Sequence, residues 1–268
     1  MAEPTVTTDR ELRLTFNIES LRLLAYCALV LMVLVGIVVT KLFVHGDVEH
    51  TVIYRIFGFN HICNVFDHQP SRTVSGLLVL LFTVPMACFV VCSYFRTFDA
   101  ARRGKVPMRL HTYSKIVTPF VFLAVCYTYM WFVNSPDDSG AWLGNPPDDP
   151  LGNFVPHYLP YVALQLALGL LAIHEVEYLI ATGALPFGAS VPRAKTYLIV
   201  LLVTTVACQV AVFSLLLGRP ILDSPNNPTA RMVFQFLMYF YSFQAIIMPI
   251  FFAARNRRNG RISSIAFS

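Results

Sequence analysis

Six stretches of this sequence are long and apolar enough to cross a bilayer, and short polar links join them. They cover residues 23–43, 74–94, 116–133, 158–180, 197–217 and 232–254. A spanning helix needs about 20 mostly apolar residues, because the hydrocarbon core is about 30 Å thick. Lipid offers the backbone no hydrogen-bond partners, so such stretches must satisfy themselves as helices. The alternation leaves no room for a separate soluble domain. The whole chain, residues 1–268, therefore reads as one all-α domain: a polytopic integral membrane protein built as a bundle of six transmembrane helices, with a basic tail at 255–268. Composition agrees, since only 13% of residues are charged, against about 25% in soluble domains.

Lysine and arginine set the orientation, because they concentrate on the cytoplasmic side. With the N-terminus inside, 15 of the 20 basic residues fall in cytoplasmic segments, Arg22, Arg96, Lys115 and Arg255 among them. The opposite side holds Lys41, Arg55, Arg72, Arg219 and Arg231. The loop 134–155 has no basic residue and carries Asp137, Asp138, Asp148 and Asp149. Both termini are expected to be cytoplasmic. The polar first twenty residues make the first span a signal anchor rather than a cleaved signal peptide.

Several function classes lack their residues here. Five of the six cysteines (Cys27, Cys88, Cys92, Cys126 and Cys208) lie in apolar spans and only Cys63 lies in a loop, so there is no disulfide framework to read. Cys88 and Cys92 share a helix face without forming a CxxC redox pair. No nucleophile elbow, phosphate loop, nucleic-acid patch or cofactor motif is present, and no histidine pair has the i,i+4 spacing of a helical metal motif, so no metal ligands are assigned.

Ionisable residues in spans usually face the bundle interior or water and find a partner, which directs attention to two ends of the chain's spans. On the outer side, residues 44–73 hold His45, His50, His61 and His68 with Cys63 and Asp67, mixed with apolar residues around Val52 and Phe57. This loop is too apolar for a plain tether and is expected to pack on the outer mouth of the bundle, with Cys63 to Arg72 facing the fourth span near His157. Asp67, His68, Arg72 and His157 are the candidate ligand-lining set, with Arg72 offering a fork for phosphate or carboxylate. On the inner side, His174, Glu175 and Glu177 lie near the end of the fourth span. His174 is 16 residues beyond Tyr158, about 24 Å along a helix. Lys115, with His111, starts the third span at similar depth, so Lys115 is expected to pair with Glu175 or Glu177. This end reads either as a proton or headgroup site or as a structural clamp.

Gln165 with Gly169 and Ala172, Gln209, and Gln235 with Tyr239 and Ser242 read as helix packing and interhelical hydrogen bonds. Pro85, Pro119 and Pro249 are positioned to kink spans two, three and six. The tail residues Arg255, Arg257, Arg258 and Arg261 can attract anionic lipid.

Cys63 followed by Pro70 and Ser71, the entry Pro70, Arg72 and Val74, and Pro85 midway through the second span resemble one six-span family. It comprises the damage-regulated autophagy modulators, the post-GPI-attachment remodelling proteins and the yeast Sfk-type proteins. The resemblance implies six spans with cytoplasmic ends and a role in lipid handling or trafficking, in the endoplasmic reticulum, Golgi or endolysosomal membranes or at the plasma membrane. The family's second-span histidine falls near Phe82 and its last-span acid at Met238, and neither can move a proton. A lipid-binding or regulatory scaffold is therefore expected rather than a catalyst. The alternatives are an accessory subunit of a larger membrane complex or channel and an enzyme acting on lipid headgroups through His157 or the His174–Glu177 cluster. Membrane lipids are the expected partners and other membrane subunits the second class; nucleic acid is not one.

Overall fold

A computed structural model describes residues 14–43, 51–59, 68–130, 150–258 and 264–267. A short strand β1 (Leu14–Asn17) leads into α1 (Ile18–Phe43), followed by α2 (Val52–Phe57), α3 (Ser71–Arg102), α4 (Met108–Tyr127), α5 (Pro150–Ala181) and α6 (Val191–Leu216). The last span is α7 (Pro228–Ser242), a π-helical segment (Phe243–Ile247) and α8 (Met248–Arg258). A strand β2 (Ser264–Phe267) pairs antiparallel with β1, Leu14 opposite Phe267. The basic tail thus ends in a pairing with the segment before α1, an element that apolar patterning does not report.

Among the described residues, five helices are long and apolar enough to cross a membrane: Ile18–Phe43, Ser71–Arg102, Phe154–Ala181, Val191–Leu216 and Pro228–Arg257. They match five of the six expected spans. The exception is α4, where the expected span 116–133 runs past the described residues and the helix instead begins at Met108. Its first two turns carry Arg109, His111 and Lys115, which lower its mean hydropathy.

Local chemistry explains the boundaries. The Asn17 side chain accepts from Ser20 N–H at 3.1 Å and caps α1. Thr51 caps α2 by accepting from Tyr54 N–H at 3.2 Å. Gly58 ends α2 at φ 71°, a left-handed turn that suits glycine. Asn227 caps α7 by accepting from Thr229 and Ala230 N–H, with Pro228 at the first helical position. Pro249 has no N–H and its ring crowds the carbonyl four residues back. The π-helical turn lies immediately before it, so the expected kink is a local widening of the helix.

The helices pack in a ring: α1 on α3, α3 on α4, α4 on α5, α5 on α6, α6 on α7, and α8 back on α1. The core includes Met32, Phe82, Phe89, Val121, Leu168, Cys208 and Phe234. Phe82 and Met238, where the resembling family carries its histidine and acid, are both core residues. Outward-facing Leu31, Leu77, Val84, Leu123, Ile199, Val203 and Phe236 remain exposed. An apolar exterior of that extent suits lipid rather than water. The fold is that of a membrane-embedded helical protein.

Candidate functional site

At the end of the bundle where α1 begins and α3 and α5 finish, three helices bring four charges together. From α1 come Glu19 and Arg22, one helical turn apart, with Arg22 Nη2 2.8 Å from Glu19 Oε2. From α3 come Ser93, Arg96 and Thr97, at the i, i+3, i+4 spacing that places side chains on one face. From α5 come His174, Glu175 and Tyr178. Glu19, Arg22, Arg96 and Glu175 are only 2, 4, 6 and 5% exposed.

Glu175 is the hub. Its Oε1 accepts from Arg96 Nη2 at 2.6 Å and from the Ser93 hydroxyl, and its Oε2 accepts from Arg22 Nη1 at 3.3 Å. Arg96 Nη2 also donates to Ser93 Oγ at 2.9 Å, and its Nη1 lies 3.9 Å from Glu19 Oε1. The Arg96 guanidinium sits 4.0 Å from the centre of the Tyr178 ring, a cation–π contact. Two carboxylates and two guanidinium groups balance in charge. That balance is what makes such depth tolerable, since an uncompensated buried ion carries a desolvation penalty of several kcal/mol.

His174 closes the network. Its Nδ1 lies 3.2 Å from Glu175 Oε1 and its Nε2 lies 3.0 Å from Thr97 Oγ1. A neutral ring with Nδ1–H toward the carboxylate accepts from the Thr97 hydroxyl. A doubly protonated ring donates to both, and Thr97 then donates to the Ser93 carbonyl, 2.9 Å away. Both ring nitrogens are engaged in either state, so neither is free for a substrate proton.

A cleft of about 650 Å³ opens over this network, lined by Glu19, Arg96, Lys105, Tyr178, Thr182 and Asn256 among others. Two atoms in its lining keep unused hydrogen-bonding capacity among the described residues: Arg96 Nε and Asn256 Oδ1. Asn256 is only 3% exposed.

The expected Lys115 pairing is corrected by this geometry. Lys115 is exposed on α4 and forms no ion pair with Glu175 or Glu177. Arg22 and Arg96, which lie deeper and carry the forked guanidinium, hold Glu175 instead. Of the three inner residues singled out on the fourth span, His174 and Glu175 come together in the network. Glu177, two residues on, lines a neighbouring groove with Arg109 and Tyr113 that shares Lys105 with the cleft.

The outer candidate set lies at the other end of the bundle. His157 is buried with its ring 6.3 Å from that of Phe154. His68 and Arg72 are half-buried at the start of α3. Asp67 and Cys63 lie outside the described residues, as do His45, His50 and His61. The expected packing of the outer loop is found for Thr51 to Phe59, where Phe57 meets Phe154 and Phe234 with ring centres 5.5 Å apart in each case. Among the described residues, no three His, Cys, Asp or Glu side chains are grouped to hold a metal ion.

Glu19, Arg22, Ser93, Arg96 and Thr97 escaped the sequence reading, which took both arginines as markers of sidedness. The available signal was Glu19, an acid three residues before Arg22 and so on the same helical face. Fold and site together define a polytopic helical membrane protein with a buried, charge-balanced network at one end. No protein-family model, no curated protein and no solved structure matches the chain.

Proposed function

We propose that the chain is a six-span membrane protein with cytoplasmic termini that binds anionic lipid headgroups as a regulatory scaffold in lipid handling or trafficking. The observation that carries this reading is the cleft over the Glu175 network. Lys105 adds positive charge to its lining above the charge-balanced network, and Asn256 Oδ1 adds an unused acceptor. It lies on the side expected to face the cytoplasmic leaflet, whose anionic lipids attract basic residues. Engagement of His174 and Glu175 by internal partners favours binding over conversion. The resemblance carried by Pro70, Arg72, Val74 and Pro85 points toward the same lipid-linked role in an endomembrane or plasma-membrane setting. The sixth span is α4: its 20 residues reach about 30 Å, and Arg109 and Lys115 snorkel from its first two turns.

Binding of short-chain phosphatidylserine and phosphatidylcholine to the purified protein in detergent, read by native mass spectrometry, tests this. The serine lipid should bind several-fold more tightly. Lys105→Glu should remove that preference without lowering the melting temperature, because Lys105 is exposed. Equal binding of the two lipids, or a preference untouched by Lys105→Glu, would refute the headgroup site. Steady release of a cleaved headgroup would replace scaffold with enzyme.

A further inference from the structure

Midway along the helices, away from the charged cleft, a second cavity of about 290 Å³ opens between α1, α5 and the last span. Its walls are almost wholly apolar, with Leu29, Met32 and Leu34 from α1 and Phe243 and Ile246 from the π-helical segment. Of the polar side chains in that wall, Tyr161, Gln165, Tyr239, Tyr241 and Ser242, two are both almost fully buried and left with an unpaired polar atom among the described residues. Gln165 on α5 is 1% exposed and Tyr241 on α7 is 2% exposed. The Gln165 carbonyl accepts from Gln209 Nε2, and Gln209 in turn accepts from the Tyr158 hydroxyl at 3.0 Å. This polar chain ends at the cavity with the Gln165 amide donors unused, and the Tyr241 hydroxyl likewise has no partner among the described residues.

Unpaired donors in a hydrocarbon-depth wall are costly, and buried polar groups are normally satisfied. Three facts therefore coincide at one place: a cavity near the lower end of the usual ligand-site range of about 300–1,000 Å³, two orphaned polar groups lining it, and a π-helical turn forming part of its wall. Single π-helical turns within α-helices frequently mark functional sites. The three explain one another if a ligand supplies the missing hydrogen bonds.

We propose that this cavity binds an uncharged, largely apolar lipid bearing one hydroxyl or carbonyl oxygen. Gln165 Nε2 donates to that oxygen, and Tyr241 donates to it or accepts from a ligand hydroxyl. Among the described residues no charged side chain lines the cavity, so a phosphate or carboxylate headgroup has no counter-ion among them. A phospholipid headgroup would also have to leave the interface to reach this depth. The hydroxyl-bearing body can be a rigid sterol or a linear long-chain alcohol. The chemistry required of the oxygen is the same for both.

Photolabelling of the full-length protein in nanodiscs separates these cases. The probes are a photoreactive sterol, a photoreactive long-chain alcohol and a photoreactive alkane of matching length. At least one oxygen-bearing probe should label α1, α5 or the π-helical segment at least fivefold more than the alkane, and which one does so identifies the ligand body. Tyr241→Phe should cut that labelling at least threefold. Its melting temperature without ligand should be unchanged or higher, because an orphaned hydroxyl is removed from an apolar wall. Leu34→Trp should block labelling from the mouth, where Leu34 is 54% exposed, so the core is not disturbed. Equal labelling by alcohol, sterol and alkane, or labelling indifferent to both substitutions, would overturn the proposal.

Discussion

The two ends of the bundle are closed by opposite means. At one end Glu175 gathers Arg22, Arg96, Ser93 and His174 in a network of directed, charged contacts. At the other, α2 lays Phe57 against Phe154 and Phe234, and Phe59 meets Phe234 with ring centres 5.9 Å apart. Aromatic contacts of this kind are area-driven, with about 0.5–1.5 kcal/mol per pair beyond burial, and they degrade gradually when one member shrinks. The charged network has little net worth against an apolar replacement, yet loss of one member leaves its partners buried and unpaired. One end is tolerant and the other is brittle. The brittle end also carries the open cleft, which Arg96 helps to line.

The largest test of this contrast is Glu175→Ala, which leaves Arg22 and Arg96 facing each other without their shared carboxylate. It should cost about 3–5 kcal/mol, read as a large fall in melting temperature in detergent. A loss near the ~0–1 kcal/mol of an exposed pair would make the two ends alike. At the aromatic end, the sensitive point is steric. A Cβ on Gly58 would lie 2.6 Å from Pro225 Cα and 2.7 Å from the Ser224 carbonyl, at φ +71°. Gly58→Ala should cost about 3 kcal/mol from overpacking and the left-handed backbone. If the melting temperature does not fall, α2 is not docked there. Thr51→Ala removes only the α2 cap and should cost about 1 kcal/mol, seen as earlier proteolysis near α2 with the remaining helices protected. Lys115→Ala should change stability by no more than about 0.5 kcal/mol. A larger effect would restore Lys115 to the inner network.

Apolar length was the readable signal, and it located the helices well, since 23–43, 74–94, 158–180 and 232–254 each fall within an observed helix or helical run and 197–217 overruns its helix by one residue. The same signal misplaced the chemistry. A hydropathy reading stops a helix at its first charge, so Glu19 and Arg22 were left before the first span and Arg96 after the second. In the fold all three are helical and buried, because partners on other helices neutralise them. Lys115 stood at the right depth for Glu175 but on the wrong face of α4, and depth is all that a sequence reading supplies. Gln165 and Gln209 were read as packing residues with interhelical hydrogen bonds. That holds for their mutual contact, but the unused Gln165 donors appear only once the cavity beside them is known.

A double-mutant cycle on Arg96 and Glu175 measures the network itself. Arg96→Met, Glu175→Gln and the double variant would be compared by thermal unfolding in the same detergent, with circular dichroism verifying helical content. If the two side chains act as one buried unit, the double variant should be more stable than the sum of the single losses predicts, with a coupling of about 1–3 kcal/mol. Strict additivity would mean that Arg96 and Glu175 do not hold each other, and would contradict the account of this end of the bundle.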